Sequence, residues 1–140
     1  ETTLEGFESS WRTNALGLLV SAQAMFQDMS TQGRGNIVVI GATASIRGGA
    51  TSTAFASAKA AQRSLAQSLA RRFSPKGIHV SHIIIDGIID LPRTREKRPD
   101  APDDFYLQPD DIAETVATIT QQPRSAWTFE VDLRPHTENW

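Results

Sequence analysis

The sequence predicts an α/β protein with a doubly wound parallel sheet, and two kinds of segment support this fold class. Two short apolar runs rich in β-branched residues, NIVVIG (36–41) and IHVSHIII (78–85), are typical of strands covered on both faces. Longer segments with apolar residues at helical spacing alternate with these runs. The predicted order is helix, strand, helix, strand, loop, helix, strand, with about three strands and three to four helices.

The first predicted helix begins near the N-terminal end of the chain. Thr2 is expected to cap it, and Glu5, three residues later, to complete a capping box. Apolar side chains then recur at helical spacing, at Phe7, Trp11, Leu18, Ala22, Met25 and Met29. Gly33 and Gly35 follow the last of them, as glycines commonly do past a helix C-terminus. The strand NIVVIG comes next.

The middle of the chain predicts a loop, a long helix and a second buried strand. ATASIRGGATS (42–52) is rich in small and polar residues and contains two glycines, so we expect a loop. The helix is expected to run from about Ser52 to Phe73, where SPKG (74–77) ends it. IHVSHIII then forms the strand that we expect beside NIVVIG.

The last third of the chain opens with a charged segment broken by prolines, residues 86–106, which is longer than a simple connector and typical of a functional loop. Pro109 suits the first turn of a further helix, with two aspartates on the favourable side of its dipole. WTFEVDL (127–133) alternates as a closing strand would. Because ligands of such folds lie beyond the carboxyl ends of the strands, we expect a site near GATAS, DGIID and DLRP.

Composition excludes several classes of function. The 140 residues match one domain, and 39% hydrophobic with 21% charged residues is typical of a globular protein. A net charge of −2 argues against a nucleic-acid partner. The absence of cysteine excludes disulfides and thiolate metal sites, and His79 and His82 suit packing or surface roles better than zinc. No apolar stretch approaches the ~20 residues that span a bilayer. We therefore expect a cytoplasmic protein without membrane, nucleic-acid or metal partners.

Four segments carry a resemblance to a known family. RTNALG (12–17), FASAK (55–59), DGII (86–89) and QPDDIAETV (108–116) occur in this order along the chain. They resemble the asparagine-bearing helix, the Tyr-x-x-x-Lys motif, the Pro-Gly loop and the late helix of short-chain dehydrogenase/reductases. The resemblance implies that residues 1–140 are the C-terminal part of a single Rossmann-like dehydrogenase domain. The glycine-rich dinucleotide turn of that family has no match here, so we expect a longer natural polypeptide.

The resemblance assigns four catalytic positions, of which two are altered. Lys59 matches the lysine that holds the nicotinamide ribose, with a plain surface lysine as the alternative. Asn14 matches the asparagine that holds a water molecule, and a purely structural hydrogen bond is the alternative. Phe55 takes the position of the tyrosine that transfers the proton, and Ala42 that of the serine that binds the substrate oxygen.

These two replacements remove chemistry that the family needs. A phenyl ring neither titrates nor donates a hydrogen bond, and loss of a positioned general acid typically costs about 10²–10⁴ in rate. Thr43 or Ser45 would replace the serine hydroxyl only if the loop shifted in register. Tyr106 is the sole tyrosine, and nothing in its spacing supports a position over the site.

By resemblance the cofactor is NAD or NADP. The residues expected to contact it are Lys59, Asp86, Gly87 and Ile89. Asp86 stands where the family has proline, and its charge would repel the nucleotide phosphates unless it points to solvent. Leu91 occupies the position of a hydroxyl residue, and Thr94 is the nearest candidate to replace it.

Two further patterns leave alternatives open. The basic residues of the 86–106 segment are Arg93, Arg95, Lys97 and Arg98. They form either a solvated loop or a clamp for an anionic substrate or the cofactor pyrophosphate. A stripe of small residues at four-residue spacing runs along helix 52–73: Ala56, Ala60, Ser64 and Ser68. It predicts a homodimer or homotetramer formed through this helix, and packing within the subunit is the alternative.

Three functions follow from these residues. The first is a short-chain dehydrogenase/reductase-like, NAD(P)-dependent oxidoreductase that acts on a small molecule with weak or altered activity. The second is a non-catalytic nucleotide-binding or oligomerisation module on the same fold. The third is an enzyme of another class that uses Asp86 or Asp90 as its acid or base.

Overall fold

The computed structural model describes residues 2–138 and begins with a long, interrupted helical arm. The arm consists of α1 (Leu4–Trp11), a π-helical turn (Arg12–Leu16) and α2 (Gly17–Gln32). It ends at Gly33, whose left-handed backbone (φ 62°) is the predicted glycine stop.

The predicted N-terminal cap is wrong by one residue. Thr3, and not Thr2, accepts the capping hydrogen bond, from the main-chain N–H of Gly6 to Oγ1 at 3.0 Å. The residue three positions after Thr3 is therefore Gly6, which has no side chain to return the bond. For this reason the predicted capping box with Glu5 does not form.

A three-stranded parallel sheet forms the centre of the fold. Its strands, in spatial order, are β1 (Gly35–Ile40), β2 (Ile78–Ile85) and β5 (Glu130–Leu133). Every residue of β2 is buried, as predicted for a strand covered on both faces. This confirms the parallel α/β fold class.

Helices cover both faces of this sheet. The long helix α3 (Thr53–Phe73) connects β1 to β2 and confirms the predicted helix within one residue. Helix α5 (Pro109–Thr120) begins at the predicted proline and precedes β5. Within the described residues 2–138, no helix combines the length and apolar character needed to cross a bilayer.

The side chains of β2 alternate between two apolar clusters. Ile78 and Val80 pack with Leu69 and Phe73 of α3 and with side chains of α2. Ile83 and Ile85 pack with Ile119 of α5 and with residues of β5. The two clusters lie on opposite faces of the sheet, because successive strand residues point to opposite sides.

The charged segment 86–106 is more ordered than the predicted loop. It contains β3 (Ile88–Ile89), which pairs in parallel with β4 (Tyr106–Leu107), and the short helix α4 (Pro92–Glu96). Tyr106 is only 4% exposed, and its hydroxyl donates to the main-chain oxygen of Arg98 at 3.0 Å. The only tyrosine is therefore a packing residue of this segment, and it does not line the main cleft described below.

Candidate active site

An open cleft of about 910 Å³ lies at the carboxyl ends of β1 and β2. The main chain from Ile40 to Ala44 forms one wall, and Ile85, Gly87 and Ile89 contribute to another. Two of the three predicted strand ends, GATAS and DGIID, therefore border the same cleft. The third, DLRP, borders a separate cavity of about 470 Å³.

The cleft brings together most of the residues that the sequence singled out. Those that line it are Asn14, Ala42, Phe55, Lys59, Gly87 and Ile89. They come from the π turn, the end of β1, the first turns of α3 and the segment after β2. Asp86 is the one predicted site residue that does not line the cleft.

Lys59 is half-buried in the cleft wall, and two of its hydrogen bonds are made within the protein. Its Nζ donates to the main-chain oxygen of Ile40 at 2.8 Å and to Oε1 of Gln62 at 3.0 Å. An ammonium group has three N–H donors, so one stays available for a ligand. Burial lowers the pKa of Lys59 from its ordinary value.

Gln62 connects Lys59 to the N-terminal helical arm, and the sequence interpretation missed it. Its Nε2 donates to the main-chain oxygen of Asn14 at 3.2 Å, while its Oε1 accepts from Lys59. The glutamine lies three residues after the lysine on α3, where side chains share a face. That spacing was the available signal.

Asn14 lies in the π turn and makes a structural hydrogen bond. Its Nδ2 donates to the main-chain oxygen of Ser10 at 2.9 Å. In the same turn Gly17 N–H donates to Arg12 O, a five-residue span that departs from α-helical pairing. The structural hydrogen bond that we named as the alternative is thus present. The second N–H of the Asn14 side-chain amide and its side-chain oxygen stay available for other partners.

Phe55 and Ala42 place no titratable side-chain group in the cleft. The Phe55 side chain is exposed, and its ring centroid lies 5.9 Å from Lys59 Nζ. Among the alternative hydroxyls, Ser45 is buried, and its Oγ accepts from the main-chain N–H of Ala42 at 3.1 Å. Thr43 lines the cleft, and its hydroxyl donates to Asp86.

Asp86 neither points to solvent nor lines the cleft. It is 6% exposed, accepts from Thr43, and lies 3.7 Å from an Arg47 nitrogen and 3.5 Å from an Arg134 nitrogen. Asp86 therefore does not point to solvent, and the two nearby guanidinium groups reduce the repulsion that its charge would exert on nucleotide phosphates.

Gly87, the next residue, has a local reason to be glycine. A Cβ at this position would lie 2.8 Å from Cδ of Pro135. Packing against the segment after β5 therefore accounts for this glycine without any ligand.

The basic residues of the 86–106 segment have different environments. Arg95 donates to Asp90 and to Asp103, each at 2.7 Å, and its guanidinium lies 4.4 Å from the centroid of the Tyr106 ring. Arg98 lies 5.3 Å from the Phe105 ring centroid. Arg93 alone among them lines the cleft. The four residues therefore match neither of the two alternatives as a set, the solvated loop or the clamp for an anion.

Asp90 is held as a carboxylate by its neighbours. Hydrogen bonds from Arg95 and then from Gln108 lower the pKa of Asp90 to about 2. A group with so low a pKa is a poor proton donor near neutral pH. The structure therefore gives no support to Asp90 as the acid of another reaction class.

A buried polar network lies beneath the cleft, between α3 and the sheet. His82 is fully buried, with Nδ1 3.0 Å from an oxygen of Glu130, and Arg63 donates to both oxygens of Glu130 at 2.6 and 2.8 Å. A Cβ at Gly41 would lie 2.4 Å from His82 Nε2, so only glycine fits there. His82 thus packs, as predicted.

Residues 2–138 contain no group of three or more side chains arranged to hold a metal ion.

Stability should depend on pH through His82. Burial lowers the pKa of His82 below the 6.5 of a free histidine, despite the opposing effect of Glu130. Below about pH 6.5 the unfolded chain takes up a proton on this histidine that the folded protein does not. The free energy of unfolding therefore decreases as the pH is lowered. We expect a loss of up to about 1 kcal/mol between pH 7 and 5.5, measured by urea unfolding.

The control for this effect is a pair of glutamine variants. His82→Gln should lose the pH dependence in this range, and the exposed His136→Gln should keep it. Arg63 is the chief cause that lowers the pKa of Glu130, so the titration of Glu130 changes stability only below about pH 4.5. It does not contribute to the pH dependence between pH 7 and 5.5. An unchanged slope in His82→Gln would show that another group titrates.

Relatives of known sequence extend this picture. An uncharacterized oxidoreductase of Staphylococcus aureus is 29% identical over 132 residues, which cover 94% of this chain and 56% of that protein. An uncharacterized oxidoreductase of Staphylococcus saprophyticus is 30% identical over 135 residues, covering 96% of this chain and 56% of its own length. The chain thus spans little more than half the length of the curated relatives it matches.

Solved structures and a family model agree with these relatives. A short-chain dehydrogenase from Rhodopseudomonas palustris is 40% identical, with a TM-score of 0.78 over 97% of this chain and 55% of that one. A serine dehydrogenase complexed with NADP+ shares the fold, with a TM-score of 0.86 at 20% identity over 100% of this chain and 60% of that one. The family model described as short chain dehydrogenase matches residues 1–102. The chain therefore belongs to the short-chain dehydrogenase family.

Proposed function

We propose that the protein is an NAD(P)-dependent oxidoreductase of weak or altered activity, whose nicotinamide nucleotide binds in the cleft at the ends of β1 and β2. One observation carries the proposal. Lys59, Asn14 and the altered positions Phe55 and Ala42 line a single cleft, although they lie up to 45 positions apart in the sequence. The oxidoreductase relatives, and the NADP+ complex of the serine dehydrogenase with this fold, support it.

The residues of the cleft fit a nucleotide. The free N–H of Lys59 suits a ribose hydroxyl, and its position beside Ile40 places it at the strand end where such folds bind ligands. The positive charge of Lys59 in the same cleft also favours a ligand that carries phosphate groups. When bound, the nicotinamide would supply or accept the hydride.

The chain's own residues limit the reaction. Phe55 has no proton to exchange with the substrate oxygen, and Ala42 donates no side-chain hydrogen bond to it. In the family, the tyrosine and serine hydroxyls at these two positions lower the barrier by stabilising charge on the substrate oxygen. Without them, the activity of this protein should be low. The retained Lys59 contributes binding and a positive charge but no replacement for the missing phenol.

A titration with NADH and NADPH, followed by nicotinamide fluorescence, tests the proposal. We expect binding of at least one nucleotide by the whole protein. Lys59→Met should weaken it by about tenfold or more, because a charged hydrogen bond is typically worth about 1.5–3 kcal/mol. The exposed Lys76→Met, outside the cleft, serves as the matched control and should bind as the unmodified protein does. If neither nucleotide binds, the proposal is wrong.

The second candidate is a non-catalytic module that binds nucleotide or mediates assembly. The replacement of the family's tyrosine by Phe55 and of its serine by Ala42 favours this candidate, because both hydroxyl groups of the usual reaction are lost. For assembly we propose a homodimer or homotetramer through α3, because Ala60, Ser64 and Ser68 form an exposed stripe of small side chains. Ala56 is buried within the chain and does not extend that stripe.

A further inference from the structure

The charges that line the cleft are all of one sign. Among residues 2–138, its ionisable side chains are Arg47, Lys59 and Arg93, and no carboxylate of these residues belongs to the lining. The 140 residues together carry a net charge of −2, so this local excess of positive charge runs against their composition. Clefts lined by one sign of charge concentrate ligands of the opposite sign.

Arg93 is free to bind such a ligand. Its neighbour Arg95 is held by Asp90 and Asp103, and Arg98 lies over the ring of Phe105. For Arg93 itself, the described part of the chain offers no hydrogen bond or ion pair, and its side chain is exposed at the cleft. The one arginine of this segment without a partner is thus the one that reaches the cleft.

Arg47 is only weakly engaged. Its side chain is 57% exposed and approaches Asp86 through one nitrogen at 3.7 Å. Asp86 also lies near Arg134 and accepts from Thr43, so its charge is shared. Because a guanidinium has five N–H donors in a planar fork, most of those of Arg47 stay free for a carboxylate or phosphate.

The position of Arg47 indicates which ligand it contacts. It lies on the loop that joins Ala42 to Phe55, the two positions where the family's groups would contact the substrate oxygen. Gly48 and Gly49 follow it and also line the cleft. An anionic group held by this loop would therefore belong to the molecule whose reacting oxygen faces Ala42 and Phe55, which is the substrate.

We propose that Arg47 and Arg93 together bind an oxyanion of the substrate, so that the substrate is a carbonyl compound or alcohol with a carboxylate or phosphate group. The inference rests on the proposed function, since it assumes that a substrate occupies the cleft. It adds a substrate class and two specificity residues to that function.

Matched aldehydes that differ in one charge test this site by calorimetric titration. The carboxylate pair is 4-carboxybenzaldehyde and methyl 4-formylbenzoate, and the phosphate pair is glyceraldehyde 3-phosphate and glyceraldehyde. Each is titrated into the whole protein with and without saturating NADPH. In at least one pair the charged member should bind about tenfold more tightly or better, and the pair that shows it identifies the anion. The preference should fall as ionic strength rises from about 0.1 to about 1 M.

Three variants locate the effect. Arg47→Gln and Arg93→Gln should each reduce the preference for the charged aldehyde several-fold. Arg72→Gln makes the same charge change on an exposed residue of α3, about 25 Å along the helix from Phe55, and should leave the preference unchanged.

The outcomes separate this inference from the proposed function. Equal binding of both members in both pairs overturns the anion site, whether or not NADPH binds. Variants that lose affinity for NADPH but keep the aldehyde preference also overturn it, because the arginines then hold the cofactor phosphate. A preference that persists in a protein unable to bind NADPH or NADH supports the anion site and refutes the proposed function.

Discussion

Phe55→Tyr combined with Ala42→Ser should raise the rate of carbonyl reduction by about 10²–10⁴-fold, the usual contribution of a positioned general acid. The Phe55 ring is exposed at the cleft and lies 5.9 Å from Lys59 Nζ, so a phenol there would be close to a positive charge. That charge favours the phenolate and lowers the phenol pKa toward the working pH. The measurement is NADPH oxidation with an aldehyde panel.

Two controls isolate the restored acid. Adding Lys59→Met to the double variant should remove most of the gain, because the phenol then keeps a high pKa. Phe55→Leu combined with Ala42→Ser changes the same positions without a titratable group and should show no gain. A double variant with intact nucleotide binding and no gain would favour the non-catalytic alternative.

Gly77→Ala should destabilise the protein by about 2–5 kcal/mol, the sum of a conformational and a steric cost. Gly77 has a left-handed backbone (φ 77°), which costs alanine about 1–2 kcal/mol. A Cβ there would also lie 2.2 Å from the main-chain oxygen of Gly33, so the backbone would have to move, at a further cost of about 1–3 kcal/mol. Urea unfolding measures the difference.

Gly33→Ala is the matched control for this substitution. Gly33 is also left-handed (φ 62°), but a Cβ there would have no neighbour within 4 Å. Only the conformational cost of about 1–2 kcal/mol should remain. Similar losses in the two variants would mean that the contact between the turn at Gly77 and Gly33 relaxes without cost.

The sequence predicts the main sheet and the long helices well, for physical reasons. The continuous apolar run of β2 is buried on both faces, and only a central strand tolerates that pattern. The four-residue spacing of Phe55 and Lys59 brings both to the cleft, because α3 is a regular helix there.

The missed features depend on contacts that no local pattern encodes. The two-residue strands β3 and β4 are too short to show alternation, and they pair across 16 intervening residues. Arg93 and Arg95 look equivalent in the sequence, yet the partners Asp90 and Asp103 bind only the second. The burial of Asp86 likewise depends on Arg134, which follows 48 residues later.

The π turn at Arg12–Leu16 has a consequence for comparing homologues of this protein. A π turn holds one residue more than the α-helical turn it replaces, and each residue rotates a helix by about 100°. A relative lacking that residue would have an uninterrupted helix, and every side chain before the deletion would face a different direction relative to α2. An ungapped alignment through this region would then pair α1 positions that do not share a face, and Asn14 would be matched to a residue pointing elsewhere.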